Sequence, residues 1–107
     1  MRAAMDDVFR ALADPTRRAL LERLLQEGEH TVRELTDHAG VSQPAVSKHL
    51  ALLKQAGLVR DRPDGRLVHY RAQPRGLKPL IDWMGHYAVF WREHFDRLEN
   101  LLNRMDT

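Results

Sequence analysis

The chain has 107 residues, 43% of them hydrophobic and 30% charged, with no cysteine and a formal net charge of +2. That length has room for one domain with a modest core. No apolar run approaches the roughly 18 residues a bilayer span needs, which excludes a membrane protein, and the missing thiols exclude disulfides and thiolate metal sites, as suits a reducing cytoplasm.

Residues 1–7 carry two acidic side chains and no apolar signal region, so a cytoplasmic location is expected rather than export. Met5, Val8, Phe9 and Leu12 then recur at helical spacing and predict a short first helix. Asp14-Pro15 reads as an N-cap followed by proline at the first helical position. The helix it opens places Leu20, Leu21, Leu24 and Leu25 on one face and stops at Gly28. Thr31-Val32-Arg33-Glu34 is a capping-box pattern starting a short third helix, with Leu35 and Ala39 inside and Gly40 ending it. Ser42 caps a fourth helix that tolerates Pro44 in its first turn and ends before Gly57.

The period then changes. Leu58 to Arg62 and Arg66 to Arg71 read as two strands around Pro63-Asp64-Gly65, a tight-turn sequence. From Leu77 to Met105 the helical period returns, predicting one long last helix. The expected core is Leu12, Leu20, Leu24, Leu35, Val46 and Leu50.

Charge is distributed unevenly over these elements. Residues 1–41 hold six Lys/Arg against eight Asp/Glu, and residues 77–107 hold four against five. Residues 42–76 hold Lys48, Lys54, Arg60, Arg62, Arg66, Arg71 and Arg75 against only Asp61 and Asp64. A basic middle third on an otherwise neutral body suits a surface that meets a polyanion.

Two helices joined by Ala39-Gly40-Val41-Ser42, with a basic hairpin soon after, have the layout of a helix-turn-helix with a wing. At 100° per residue, Val46, Leu50 and Leu53 of the fourth helix face the core. Pro44, Ser47, Lys48, Ala51 and Gln55 fall on the far side, with Gln43 and Lys54 flanking it. Such a face can enter a major groove, where Gln43 can pair bidentately with an adenine edge. Ser42 and the helix N-terminus suit a phosphate. The expected DNA-binding residues are Ser42, Gln43, Pro44, Ser47, Lys48 and Lys54, with Arg62 and Arg66 from the wing. His49 lies on the flank and is read as a half-buried structural residue or a phosphate contact.

Three blocks carry a family resemblance: Phe9 to Arg17 (FRALADPTR), Val41 to Leu50 (VSQPAVSKHL), and Ala56 to Val59 followed by Gly65-Arg66. Together they resemble the ArsR/SmtB family of bacterial winged-helix repressors. The resemblance implies a dimer that binds an inverted-repeat operator and represses until an effector releases it. It also implies where metal sensors of the family would carry their ligands, and this chain departs there. The third helix, Thr31 to Leu35, has no thiol, and Asp82, His86, Glu93 and His94 do not match the zinc-type spacing of the last helix. No metal and no cofactor are therefore expected.

The last helix repeats Leu77, Met84, Trp91, Leu98 and Met105 every seven residues, with Leu80, Tyr87, His94, Leu101 and Ile81, Ala88, Phe95, Leu102 as parallel rows. A helix packing on its own domain needs a stripe of about 100°; this one is wider. The excess points to a homodimer through Met84, Tyr87, Trp91, Phe95, Leu98 and Leu102. An aromatic-lined pocket for a small molecule between this helix and the core is the other use of such a face.

The expected architecture is mainly α, an α+β winged helix-turn-helix over residues 1–107: four helices, a two-stranded wing and a dimerisation helix. The recognition helix spans about 42–56, the wing about 58–72 and the dimerisation helix about 77–105. The expected function is sequence-specific repression at a double-stranded DNA operator, with an unknown effector. The alternatives are a metal-responsive repressor with a His/carboxylate site on the last helix and a protein-interaction module without DNA binding. No nucleophile–base pair, glycine-rich phosphate loop or carboxylate dyad points to an enzyme.

Overall fold

The computed structural model describes the chain over residues 2–105. Its first helix, α1 (Arg2–Leu12), turns Val8 and Ala11 inward. The carbonyls at its C-terminal end are satisfied from the next helix. Arg17 donates from Nε to the Ala11 carbonyl at 2.7 Å and from its terminal nitrogen to the Arg10 carbonyl at 3.0 Å, and Arg18 donates to the Leu12 carbonyl at 2.6 Å. Cationic side chains are well placed there, because a helix C-terminus leaves carbonyls unpaired and partly negative.

Helix α2 (Pro15–Glu27) begins as its sequence predicts, with the Asp14 carboxylate accepting from the Arg17 backbone N–H at 3.0 Å. It buries Leu20, Leu21 and Leu24, whereas Leu25 is exposed. At 100° per residue Leu25 falls about 40° beyond Leu21, on the solvent edge of that arc.

The sheet has three strands, not the two of the expected wing. The extra one, β1 (His30–Thr31), immediately precedes α3 (Val32–Asp37). Thr31 is at once a strand residue and the α3 cap. Its hydroxyl accepts from the Glu34 N–H at 3.2 Å while the Glu34 carboxylate accepts from the Thr31 N–H at 3.1 Å.

Helix α4 (Gln43–Gln55) buries Val46, Leu50 and Leu53. It ends in two back-bonds, Gly57 N–H to the Lys54 carbonyl and Leu58 N–H to the Leu53 carbonyl, both at 2.9 Å. That pair is the Schellman arrangement, which a helix followed by glycine favours. The chain leaves directly into β2 (Val59–Asp64), which pairs antiparallel with β3 (Leu67–Ala72). The register pairs Asp64 with Leu67, so the loop is Gly65-Arg66, one residue later than the sequence suggests. Gly65 has φ +62° and Arg66 a negative φ, as a type II′ hairpin turn requires. β1 lies on the other side of β3, with His30 opposite Tyr70 and Thr31 opposite His69, so the strand order is β1-β3-β2.

The core combines Val8 and Ala11, the three α2 leucines, Leu35, the three α4 residues, and Leu58 and Val59 at the wing base. Leu12 belongs at its margin, partly buried.

The single long helix expected over about 77–105 is interrupted. A 3-10 turn (Pro74–Leu77) leads into α5 (Lys78–Gly85), and a turn at His86 and Tyr87 separates it from α6 (Ala88–Met105). The Tyr87 N–H bonds back to the Met84 carbonyl at 3.1 Å, a tightened three-residue step next to Gly85, a poor helix former. α5 packs on α1, where Phe9 and Trp83 meet edge to face at 5.6 Å. α6 runs on with its side chains exposed. The molecule measures 63 × 33 × 20 Å, and its 18.2 Å radius of gyration exceeds the roughly 13 Å of a compact domain this long.

Candidate nucleic-acid interface

Burial of Val46, Leu50 and Leu53 fixes which way α4 faces. Gln43, Pro44, Ser47, Lys48, Ala51, Lys54 and Gln55 are all left exposed. Ser42 is exposed as well, and its hydroxyl accepts from the Ala45 N–H at 3.3 Å, holding the first turn. The N-terminal half of this face has no large apolar group and no carboxylate. Lys48 makes no ion pair among the described residues.

The four basic residues singled out in the sequence therefore divide into two kinds. Lys48 on α4 and Arg66 at the wing tip are exposed and without an ion-pair partner among the described residues. Lys54 and Arg62 are engaged. Lys54 Nζ donates to Asp61 at 3.1 Å, tying the end of α4 to β2. Arg62 Nε donates to Glu29 at 2.9 Å and stands 4.0 Å from Asp64. That hydrogen bond is the main reason the Glu29 carboxyl lies below its usual range and the Arg62 guanidinium above its own. Both pairs are solvent-exposed, so a phosphate can compete for either cation at small cost.

His49 is mostly buried and points back toward the start of α2. Its Nδ1 accepts from Arg17 at 3.4 Å and lies 4.0 Å from the Asp14 carboxylate. Arg17 thus closes α1, and with Asp14 it holds α4 against the α1–α2 corner. Spacing alone does not reveal this role, because positions 14, 17 and 49 meet only through the tertiary fold.

The chain matches the bacterial regulatory protein, arsR family, over residues 14–61, the stretch from the α2 cap into β2. It is 39% identical over 80 residues to the transcriptional repressor SdpR of Bacillus subtilis (strain 168), an alignment covering 75% of this chain and 88% of that protein. It belongs to the ArsR family. It is also 51% identical over 75 residues to the HTH-type transcriptional regulator Rv2034 of Mycobacterium tuberculosis (strain ATCC 25618 / H37Rv), covering 70% and 69% of the two chains. A crystal structure of an ArsR family transcriptional regulator superposes with a TM-score of 0.77 at 30% identity, over 86% of this chain and 94% of the other.

As an ArsR-family protein the chain is a DNA-binding transcriptional regulator and not an enzyme. Its fold is the family's winged helix, mostly helical with a small antiparallel sheet. Among the described residues, no helix is long and apolar enough to cross a membrane, and no three His, Asp or Glu side chains come together as metal ligands. Of the acidic and histidine side chains considered on the last helices, Asp82 accepts from Lys78 at 2.8 Å and His94 Nδ1 lies 3.0 Å from the Phe90 carbonyl. The side chains expected at a dimer seam, Met84, Tyr87, Trp91, Phe95, Leu98 and Leu102, are 45–63% exposed in the single chain. Between α1 and α5 an open groove of about 520 Å³ is lined by Met5, Pro79, Trp83 and His86, with Arg75, Lys78 and Asp82 at its polar edge.

Proposed function

We propose that this ArsR-family regulator is a cytoplasmic homodimeric repressor that binds an inverted-repeat operator, with residues 1–107 acting as one winged helix-turn-helix unit. The observation that carries the reading is a pairing of two bare surfaces. α4 offers a polar, carboxylate-free face beside a basic wing, and α6 leaves a broad apolar face uncovered. One recognition helix reads only a few base pairs, and a two-fold partner that covers α6 would hold a second one about a DNA turn away.

In this reading Gln43, Pro44 and Ser47 approach base edges, while Ser42, Lys48 and Arg66 hold phosphates. Lys54 and Arg62 exchange their carboxylate partners for phosphate oxygens when DNA arrives. Met84, Tyr87, Trp91, Phe95, Leu98 and Leu102 form the seam.

Gel-shift titration across a salt series, on an operator selected from genomic fragments, tests the reading. With about four phosphates neutralised per subunit, the dimer should show a log–log slope of roughly −7. An affinity indifferent to salt, or a protein–DNA stoichiometry of one chain per operator, contradicts it.

A further inference from the structure

The base of the wing carries charge that neither the fold nor the surface described above uses. The β2–β3 register sets Arg60 directly opposite Arg71. Like charges in that position repel and destabilise a sheet. Neither arginine forms an ion pair among the described residues. Arg71 does add to the field that lowers the Glu29 pKa, but the Glu29 carboxylate is hydrogen-bonded to Arg62.

Beyond β3 the chain doubles back and brings Arg75, also without an ion pair among the described residues, to the same place. Arg60, Arg71 and Arg75 line a concavity of about 400 Å³ with Ala72, Gln73 and Pro74 and no acidic residue, and Arg60, Arg71 and Gln73 also border an adjoining cavity with Lys54, Arg62, Glu29 and Asp61. The backbone beneath is held firmly. Gln73 N–H donates to the Leu58 carbonyl at 2.8 Å, and Gly76 packs directly on the Gly57–Leu58 backbone.

We propose that the wing base is an anion site that takes a phosphate or pyrophosphate group, centred beyond the N-terminal half of α4 and the wing tip. Arginine forks match phosphate oxygens bidentately, and three of them around one concavity outweigh the repulsion between Arg60 and Arg71 once an anion is seated. The site adjoins Lys54 and Arg62 and is set back from Gly65 and Ser42. Arg60 lies five residues along β2 from Gly65, about 16 Å at the rise of a strand. The end of α4 from which β2 departs is about 20 Å from Ser42 at 1.5 Å per residue. Two sources offer this chemistry: a phosphorylated small molecule, or the backbone of DNA flanking a half-site.

The first arm of the test uses no DNA. The full chain is titrated with sodium pyrophosphate at constant ionic strength and followed by amide NMR, alongside R60Q/R71Q/R75Q and the milder R75Q. Saturable shifts centred on residues 60 and 71–76 are expected, at least tenfold weaker in the triple variant and reduced in R75Q. The triple variant should melt no lower than the parent, since it loses a repulsive pair. The second arm compares an operator duplex limited to the two half-sites with one extended by ten base pairs at each end. If flanking DNA is the source, the parent binds the longer duplex more tightly and the triple variant loses that gain. If a phosphorylated molecule is the source, parent and variant bind each duplex alike. Pyrophosphate shifts that do not saturate overturn the proposal, as does equal weakening of both duplexes by the triple substitution, which would merge these arginines with the reading surface. Because the NMR arm contains no DNA, its outcome stands whether or not the operator is bound.

Discussion

Gln43 opens α4 and Arg66 sits in the turn at the wing tip, and in the proposed complex the two should fail in different ways. Gln43→Ala is expected to reduce discrimination between operator and altered operator by about 1–3 kcal/mol at the matching position, as loss of a bidentate base contact does. Arg66→Ala should weaken every sequence to the same degree. Competition titrations on point-substituted operators separate the two; equal losses on operator and random DNA for Gln43→Ala would move α4 out of the groove. Acid titration exposes a second set of single residues. The Asp14 carboxyl is held below its ordinary 3.8 chiefly by the Arg17 backbone N–H, Glu34 below 4.5 by the Thr31 backbone N–H and hydroxyl, and Glu29 below 4.5 by Arg62. Since the folded-state values are the depressed ones, this stability is complete above the ordinary values and is lost as pH falls through the lower native ones. Urea midpoints should decline between about pH 5 and pH 2, and more shallowly in Asp14→Asn and Glu34→Gln. A decline of the same steepness in both variants would mean that other groups drive it.

Gly76 and Gly85 put opposite demands on their elements. A Cβ at Gly76 would overlap the Gly57 carbonyl oxygen and stand 2.7 Å from its carbonyl carbon. Gly76→Ala must therefore push the 3-10 turn off the wing base, and a loss of about 1–3 kcal/mol in denaturant unfolding is expected. Nothing lies within 4 Å of a Cβ at Gly85, and its φ is not positive. Gly85→Ala should stabilise by up to about 1 kcal/mol and raise helical circular dichroism as α5 and α6 join; a drop in stability would show that the turn at 86–87 is held by packing. The same contrast explains what the sequence discloses. Caps at Asp14, Thr31 and Ser42 and the α4 inward face depend on residues within a few positions, and all are where local rules put them. β1 is hidden, being two residues whose partners, Tyr70 and His69, lie about forty positions away and whose threonine already reads as a cap. The break at 86–87 is concealed because the apolar rows run straight across Gly85. The exposed face of α4 is legible, but the engagement of Lys54 by Asp61 and Arg62 by Glu29 is not, since neither pairing follows from spacing. Nor is the clasp of Asp14 and Arg17 on His49.

At the scale of the whole molecule the decisive feature is α6, which carries Trp91, Phe95, Leu98, Leu101 and Leu102 while projecting beyond the core. Trp91 and Phe95 stack at 6.1 Å, a rigid aromatic pair of the kind that anchors interfaces. In the proposed dimer, Trp91→Glu would place a charge in a desolvated seam at a cost of several kcal/mol. Sedimentation should then report a monomer at micromolar concentration. Circular dichroism should change little, because the core from Val8 to Val59 does not include α6. Gel shifts should retain weak nonspecific binding and lose the operator. A variant that remains dimeric and binds normally would relocate the seam elsewhere.

In the proposed dimer α6 covers its apolar face with a second copy, so operator binding depends on how many copies are present. Operator occupancy by a dimer that dissociates scales with the square of protomer number while monomers predominate. Doubling the protein in a sparse cell would then raise occupancy nearly fourfold, and diluting it at division would lower it just as steeply. With α6 as the proposed seam, a graded change in the chain's synthesis would become a sharper change in the transcription it controls.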